Sequence, residues 1–299
     1  MTHSASSALA HPVTDGVGAG FASLLRSWRE AGDARAPIVM GIVNVTPDSF
    51  SDGGHFFRTE AAIEHGLRLH DEGAAILDVG GESTRANAEP VAADEEIRRI
   101  LPVIEALTAN GILVSVDTMK AEVARAAISA GAQILNDVRG LLGDPEMAEV
   151  AARTGAGVIA MHNQGIFGSA KPMEFDPVAG CIAFFRRALE VAHEAGVAED
   201  RLVLDPGFGF GKSPEQNLQI LARFGELGAL GLPLLAGTSR KSFIAKVAGA
   251  DDTERLAGTL ATNVVAALAG AAIVRVHDVA EHVAAMRIAA AIRGAGTSG

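Results

Sequence analysis

The chain of 299 residues has no tyrosine, one tryptophan and one cysteine. Aromatic residues make up 4% of it, too few to build a surface on which nucleic-acid bases stack. Positive charge is also scarce: 25 Lys and Arg stand against 36 Asp and Glu, a net charge of -11. Such a surface repels phosphate, so neither nucleic acid nor an anionic membrane is expected as a general partner. An anionic ligand would need cations gathered in one place. Cys181, being alone, excludes an intrachain disulfide and fits a reducing cytoplasm. It falls in the apolar helical pattern FDPVAGCIAFFRRALEVA, where a buried structural thiol is expected rather than a nucleophile. No apolar run reaches the roughly 18 residues of a membrane span. The opening MTHSASSALAHPVTDG lacks the basic start and apolar centre of a secretory signal. A cytoplasmic protein is expected.

What the chain has is apolar mass in short, regular pieces. Hydrophobic residues form 48% of it, enough for one large α/β barrel or for two ordinary domains. The organising stretch is Ile38–Gly54, IVMGIVNVTPDSFSDGG. Ile38–Val43 reads as a strand buried on both faces. It stops at the amide of Asn44 and feeds a loop, Thr46–Gly54, rich in Pro, Asp, Ser and Gly. Apolar runs of this kind recur at Ala75–Val79, Ile112–Val116, Gln133–Leu135, Gly157–Met161, Arg201–Leu204, Pro233–Ala236 and Ala272–Val276. Between them lie Ala-, Glu- and Arg-rich stretches with the period of helices that bury one face. Gly73, Gly131, Gly155 and Gly196 fall near helix ends, where a positive φ is useful. Eight runs about thirty residues apart match eight βα units, the plan of a (β/α)8 TIM barrel. The alternative is an open doubly wound sheet, which needs a reversal of strand order. Residues 1–35 are expected to be a disordered tail and an N-terminal helix near Phe21–Ala31, which would cap the bottom of the fold. Residues 36–299 would form the barrel, as a single domain.

In a barrel the loops after the strands hold the active site. The residues at those ends are Asn44, Asp78 with Glu82-Ser83-Thr84-Arg85, Asp117, Asn136-Asp137, His162, Asp205, Ser239-Arg240-Lys241, and Arg275 with His277. Each alone has a plain explanation. Asp117 and Asp205 could cap helices, and His162 could be a satisfied core histidine. Polar ends on all eight runs, at one rim, point to a site. Asp117, Asn136, Asp205 and Lys241 suit the edge of a flat heterocycle carrying amide and amino groups. Arg85, Arg275, His277 and Asn44 form a second group, with guanidinium forks matched to phosphate oxygens. Arg275 could also lie on a ring face. Asn44 is a neutral oxygen ligand of the sort Mg²⁺ takes beside substrate phosphate and water. Together these suggest a heterocycle bearing a diphosphate.

Two motifs fail on inspection. LDPGFGFGKS lacks a phosphate-binding loop because Pro206 stands where its first glycine belongs. Gly207, Gly209 and Gly211 there read as close approach or tight folding. His193-Glu194 is followed by AGV, so no zinc-protease motif is present.

These stretches together resemble the dihydropteroate synthase family, over about residues 36–292. GIVNVTPDSFSDGG is similar to its first signature and GAAILDVGGESTRANAEPV to its second. SVDTMKAEVARAAISAGAQILNDVRG, MHNQG, LDPGFGFGKSPEQNL, GTSRKSF and RVHDV match further blocks in order. The resemblance implies a pterin-binding barrel in which Asp117, Asn136, Asp205 and Lys241 hold the pterin. It implies that Asn44 meets a magnesium-associated diphosphate, with Arg275 and His277 also on the diphosphate and Thr84 near it. It places 4-aminobenzoate by Phe50, Thr84 and Ser242, and a homodimer through Leu256–Gly270 and nearby helices. Asp48, Asp52, Arg85, Lys241, Arg275 and His277 are the residues it implies in catalysis. The implied reaction joins a pterin diphosphate to 4-aminobenzoate. One departure stands out: Ala86-Asn87 replace the family's Pro-Gly in the second loop, which alters that backbone's stiffness. Two other readings share the barrel, a methyltransferase using a reduced folate and a non-catalytic pterin-binding partner protein. The first has no use for the Thr46–Gly54 loop, and the second rests on Ala86-Asn87 alone.

Overall fold

The structure, a computed structural model, describes residues 16–32, 35–46, 55–83, 89–164, 176–248 and 255–296, with backbone only at 55–58. The sequence readings at Asp48, Phe50, Asp52, Thr84 and Arg85, and of the tail before residue 16, lie outside the described residues.

Eight parallel strands alternate with helices along the chain: β1 (Ile38–Asn44), β2 (Ile76–Gly80), β3 (Val114–Asp117), β4 (Ile134–Asp137), β5 (Gly157–Met161), β6 (Leu202–Asp205), β7 (Leu235–Ala236) and β8 (Ile273–Val276). Helices α1 (Ala19–Glu30), α2 (His55–Asp71), α3 (Ala93–Ala109), α4 (Ala121–Ser129), α5 (Met147–Thr154), α6 (Pro177–Ala195), α7 (Pro214–Ala222), α8 (Ser242–Ala248), α9 (Arg255–Leu268) and α10 (Val279–Gly296) accompany them. The hydrogen-bonded order is β6-β5-β4-β3-β2-β1-β8-β7. A parallel bridge between Leu204 and Leu234 brings β6 against the lead-in to β7, and the Leu204 amide donates to the Pro233 carbonyl at 3.0 Å. The sheet therefore curls into a TIM barrel rather than an open doubly wound layer.

Side chains of a strand alternate between two faces, so each strand divides into an outward and an inward set. The outward set, including Val39, Leu77, Val79, Val114, Val116, Val158, Leu204 and Val274, packs with helix residues such as Leu69, Ile104, Ala127, Phe185 and Met286 in the larger core cluster. The inward set begins apolar: Ile38, Met40, Ile76, Ile134, Ile159, Val203, Leu235 and Ile273 fill the barrel interior. Further along the same faces the inward positions become Asp78, Asp117, Asn136, Asp205 and Arg275. Both faces of a strand are thus buried, which is why these strands read as unbroken apolar runs.

Helix α1 closes the apolar end. Phe21, Leu25 and Trp28, spaced four and three residues apart, share one helix face and join the interior cluster. A Cβ on Gly157 would meet the Phe21 ring at 2.3 Å, so glycine at the start of β5 is what admits that ring. The Gly18 amide donates to the Gly155 carbonyl at 2.9 Å, fixing the approach to α1. Local signals bound the helices: Asp176 caps the start of α6, accepting from the Val178 amide at 2.9 Å. Ser213 and Gln216 form a reciprocal capping box at α7. Gly155 and Gly196 close α5 and α6 in the left-handed region. Replacing Phe21 by Ala should cost about 3–5 kcal/mol of stability, read by chemical denaturation. A loss below about 1 kcal/mol would show that α1 is not part of the core.

Candidate active site

The polar inward residues meet at the end of the barrel opposite α1. Register sets their heights: Asp78 lies beside Ser115, Asp117 beside Asn136, and Met161 beside Asp205 across the strand pairs. Asn44, the last residue of β1, is exposed at this mouth.

Arg275 is the central cation. Its Nε donates to Asp78 Oδ2 at 2.6 Å and one terminal nitrogen donates to Asp117 Oδ2 at 2.8 Å. The Asn136 amide donates to the same Asp78 oxygen at 2.9 Å. This arrangement uses one oxygen of each carboxylate. Asp78 Oδ1, Asp117 Oδ1 and Asn136 Oδ1 are buried without a hydrogen-bond donor among the described residues. Buried acceptors left unpaired are costly, so a cluster of three at one mouth suits a ligand that brings several N–H groups in one plane. Burial pushes the Asp117 carboxyl up to about 7, with Arg275 opposing the shift and Asp78 adding to it.

The seventh connection presents Lys241. Thr238 donates to Asn263 Oδ1 of α9 at 2.8 Å, and the Lys241 amide donates to the Thr238 carbonyl at 3.1 Å. Ser239 Oγ lies 2.9 Å from His277 Nδ1. Arg240, a non-glycine residue at φ 55°, donates its backbone N–H to Thr259 at 3.0 Å and pairs with Asp278. With its neighbours pinned in this way, Lys241 turns into the mouth, its ammonium 4.1 Å above the Phe210 ring. Burial and the nearby Arg275 lower its pKa to about 8. Asp205 accepts from the Gly207 amide at 2.7 Å, and burial raises its carboxyl above the ordinary range.

The structure thus brings Asp117, Asn136, Asp205, Lys241, Arg275 and His277 to one mouth, with Asn44 on its rim. Ser242, the first residue of α8, is exposed beside Lys241. Arg275, expected in a phosphate-binding group, is engaged by the two carboxylates Asp78 and Asp117. Asp78 is an addition: its position as a strand end is visible in the sequence, but its pairing with Arg275 spans 197 residues and is not. His162 follows its plain reading: it is buried, with Nδ1 3.4 Å from the Cys181 thiol and its ring edge-on to Phe184. Burial pushes that thiol up to about 11, so Cys181 is no nucleophile. Asp117 and Asp205 cap no helix. Next to the mouth, Lys120 Nζ joins Glu82 at 2.6 Å, Glu96 at 2.5 Å and the Val91 carbonyl at 2.7 Å, a cluster the sequence does not announce.

Buried His162 and half-buried His277 set a stability slope. Burial lowers the pKa of His162 and of His277 to about 3, with Lys212 assisting at the first and Arg275 and Arg240 at the second. Below about 6.5 the unfolded chain takes up protons that the folded chain refuses, so stability falls as pH drops from there toward 3. His162→Gln should flatten the pH dependence of unfolding over that window. An unchanged slope in denaturation from pH 7 to 4 would contradict the burial of a neutral ring.

Comparison with known proteins agrees with this geometry. The family described as pterin binding enzyme matches residues 40–277. The dihydropteroate synthase of Escherichia coli K12 is 46% identical over 262 residues, covering 86% of this chain and 92% of that protein. A probable bifunctional folylpolyglutamate synthase/dihydropteroate synthase of Haloferax volcanii is 49% identical over 257 residues, 85% of this chain and 30% of that longer protein. The solved dihydropteroate synthase of Clostridium difficile, in the presence of pteroic acid, superposes with a TM-score of 0.83 at 46% identity, over 87% of this chain and 97% of that one. The Xanthomonas albilineans enzyme with 4-aminobenzoic acid gives 0.82 at 47% identity, over 87% and 94%. No described helix is long and apolar enough to cross a membrane. The chain therefore belongs to the pterin-binding enzymes and, within them, to the dihydropteroate synthases.

Proposed function

We propose that this chain is a transferase that joins (7,8-dihydropterin-6-yl)methyl diphosphate to 4-aminobenzoate, giving 7,8-dihydropteroate and diphosphate in folate biosynthesis. The observation that carries the reading is the trio of donorless oxygens on Asp78, Asp117 and Asn136 at the mouth of a barrel of this family. A pterin edge carries adjacent amide and amino N–H groups in one plane and would supply the missing donors. Solved relatives that hold pteroic acid and 4-aminobenzoic acid support both halves of the substrate pair.

The residues suggest how the chemistry runs. Asp117, Asn136 and Asp205 orient the pterin, and Lys241 donates from the other side of the mouth. The carbon–oxygen bond to diphosphate breaks, its electron pair leaving with the diphosphate and a cation remaining on the pterin methylene. The 4-aminobenzoate nitrogen then attacks that carbon and loses one proton. Positive charge from Lys241, and donors on His277 and Arg275, stabilise the departing diphosphate. No base strong enough to deprotonate the amine first is required, because the cation is the reactive partner.

Magnesium suits this site only as part of the substrate. Asn44 offers one neutral oxygen at the rim, and among the described residues no group of three or more His, Cys, Asp or Glu side chains is placed to hold a metal alone. Asn44 would hold the ion together with diphosphate oxygens and water, and the bound ion would offset charge on the leaving group. The roles of Asp48, Phe50, Asp52, Thr84 and Arg85 rest on the sequence resemblance alone. Ser242 is exposed where a carboxylate of 4-aminobenzoate could dock. A homodimer is supported by exposed apolar side chains on two packed helices, Val265 and Leu268 of α9 with Ile288 and Ile292 of α10. Residues 36–299 act as one pterin-binding unit after the N-terminal tail and helix, and the lone cysteine fits the cytoplasm.

Diphosphate release from the pterin diphosphate should require both 4-aminobenzoate and Mg²⁺, and should stop on chelation. Turnover independent of the amine would refute the assignment. Asp205→Asn and Lys241→Ala should each weaken pterin binding by about 1–3 kcal/mol in calorimetry, because each leaves a partner unpaired. The free-enzyme profile, kcat/KM for the pterin against pH, should fall with a limb near 8 as Lys241 loses its proton. A limb that persists unchanged in Lys241→Ala would assign it to another group. Sedimentation should give twice the chain mass; a monomer at micromolar concentration would remove the dimer.

A further inference from the structure

We infer that Lys212, which touches no substrate position, is a positioning residue that holds Asp205, Phe210 and Lys241 in place for pterin binding. The inference rests on the reading of the mouth as a pterin site.

The argument starts from where the three ammonium hydrogens go. Lys212 Nζ donates to the Gly207 carbonyl at 2.8 Å, to the Phe210 carbonyl at 3.2 Å and to the His162 carbonyl at 3.2 Å. A lysine has three donors, and each here meets a main-chain oxygen. Lys212 is half-buried, and its ammonium lies against the main chain of the loop. Two of the acceptors lie within the loop from Pro206 to Gly211, and the third, His162, directly follows β5. Lys212 therefore curls the loop back over its own charge and ties it to the neighbouring strand.

That loop has no regular structure to hold it. Gly207, Gly209 and Gly211 all take positive φ, at 64°, 80° and 65°. A Cβ on Gly207 would lie 2.1 Å from the His162 carbonyl oxygen, so the backbone there is as close to β5 as chain can come. A loop with three such glycines has much conformational freedom to lose, and local bonds must offset it. One tie is outside: the Gly209 amide donates to Asn217 Oδ1 at 2.7 Å. Lys212 supplies the inside tie.

The loop's two ends of contact are the site itself. The Gly207 amide donates to Asp205 Oδ1 at 2.7 Å. On the other side the Phe210 ring lies 4.1 Å beneath the Lys241 ammonium, and a Cβ on Gly209 would sit 3.1 Å from Lys241 Cδ. Releasing Lys212 frees the carboxylate of Asp205 and the floor under Lys241 together. A purely structural lysine would leave both in place.

The test uses the full chain with Lys212→Met, which keeps the stem and removes the donors. Calorimetry with the pterin diphosphate and Mg²⁺ should show affinity about tenfold weaker or more than wild type, with the protein folded by circular dichroism. The high-pH limb of binding should also move upward. Arg275 from β8, Asp205 from β6, Asp117 from β3 and Lys212 are the charged groups that act on Lys241, and this substitution deletes one of its two positive neighbours. Should Lys212→Met fail to fold, Lys212→Gln, with two donors retained, is measured instead and should give a smaller loss of affinity. Folded variants with wild-type affinity and an unmoved limb overturn the inference. Unfolding of both variants overturns it too, since Lys212 is then a folding residue. Wild-type protein that binds no pterin diphosphate overturns the pterin reading first, and the inference with it.

Discussion

Arg275 held between Asp78 and Asp117 is the interaction on which the mouth depends. Two carboxylates and an amide cannot share a buried space without a counter-charge, because burial penalises each unpaired charge heavily. The guanidinium supplies that charge and, being planar, reaches both carboxylates from one side. It satisfies one oxygen on each and leaves the other free. The site is thereby stable when empty and still short of donors, which is the condition for binding a flat, N–H-rich ligand with selectivity. In an acidic chain the cations are gathered locally: Arg275 and Lys241 stand within the mouth and Lys212 lies against its loop. Burial brings both lysines to about 8, and at Lys241 the positive charges of Arg275 and Lys212 add to the shift.

The barrel makes this possible by dividing its interior in two. The half near α1 is apolar and filled, with Phe21, Leu25 and Trp28 entering among Ile38, Met40, Ile76 and Ile273. The other half carries the polar ends of the same inward faces. Strand parity links them: Ile76 and Asp78, Ile134 and Asn136, Val203 and Asp205, and Ile273 and Arg275 are each two residues apart. A rigid apolar floor holds the polar residues at fixed heights, and the helices around the outside anchor the connections. Lys241 shows the second part of that logic, since Thr238, Ser239 and Arg240 before it are each tied to α9 or to the end of β8.

Much of this was legible beforehand. The run Gly157–Met161 is β5 residue for residue, and the other runs fall within a few positions of their strands. Glycines read as helix stops, Gly155 and Gly196 among them, take positive φ. The polar strand ends picked out the mouth because side chains at the ends of buried strands have nowhere else to go. Other features were not legible. Arg275 offers the same fork to a phosphate or to a carboxylate, so its residue type alone does not reveal that Asp78 and Asp117 engage it. Lys212 sits in a motif that fails as a phosphate loop, and its carbonyl partners leave no trace in composition.

Sequence alone determined the alternation of strand and helix in eight units, and the family, because these depend on period, spacing and contiguous motifs. Only the tertiary structure decided which charges pair. Asp78 and Arg275 meet across 197 residues, and Lys212 reaches back 50 to His162. Closing the sheet, which no local pattern encodes, is what sets those distances, and with them which oxygens remain for a ligand.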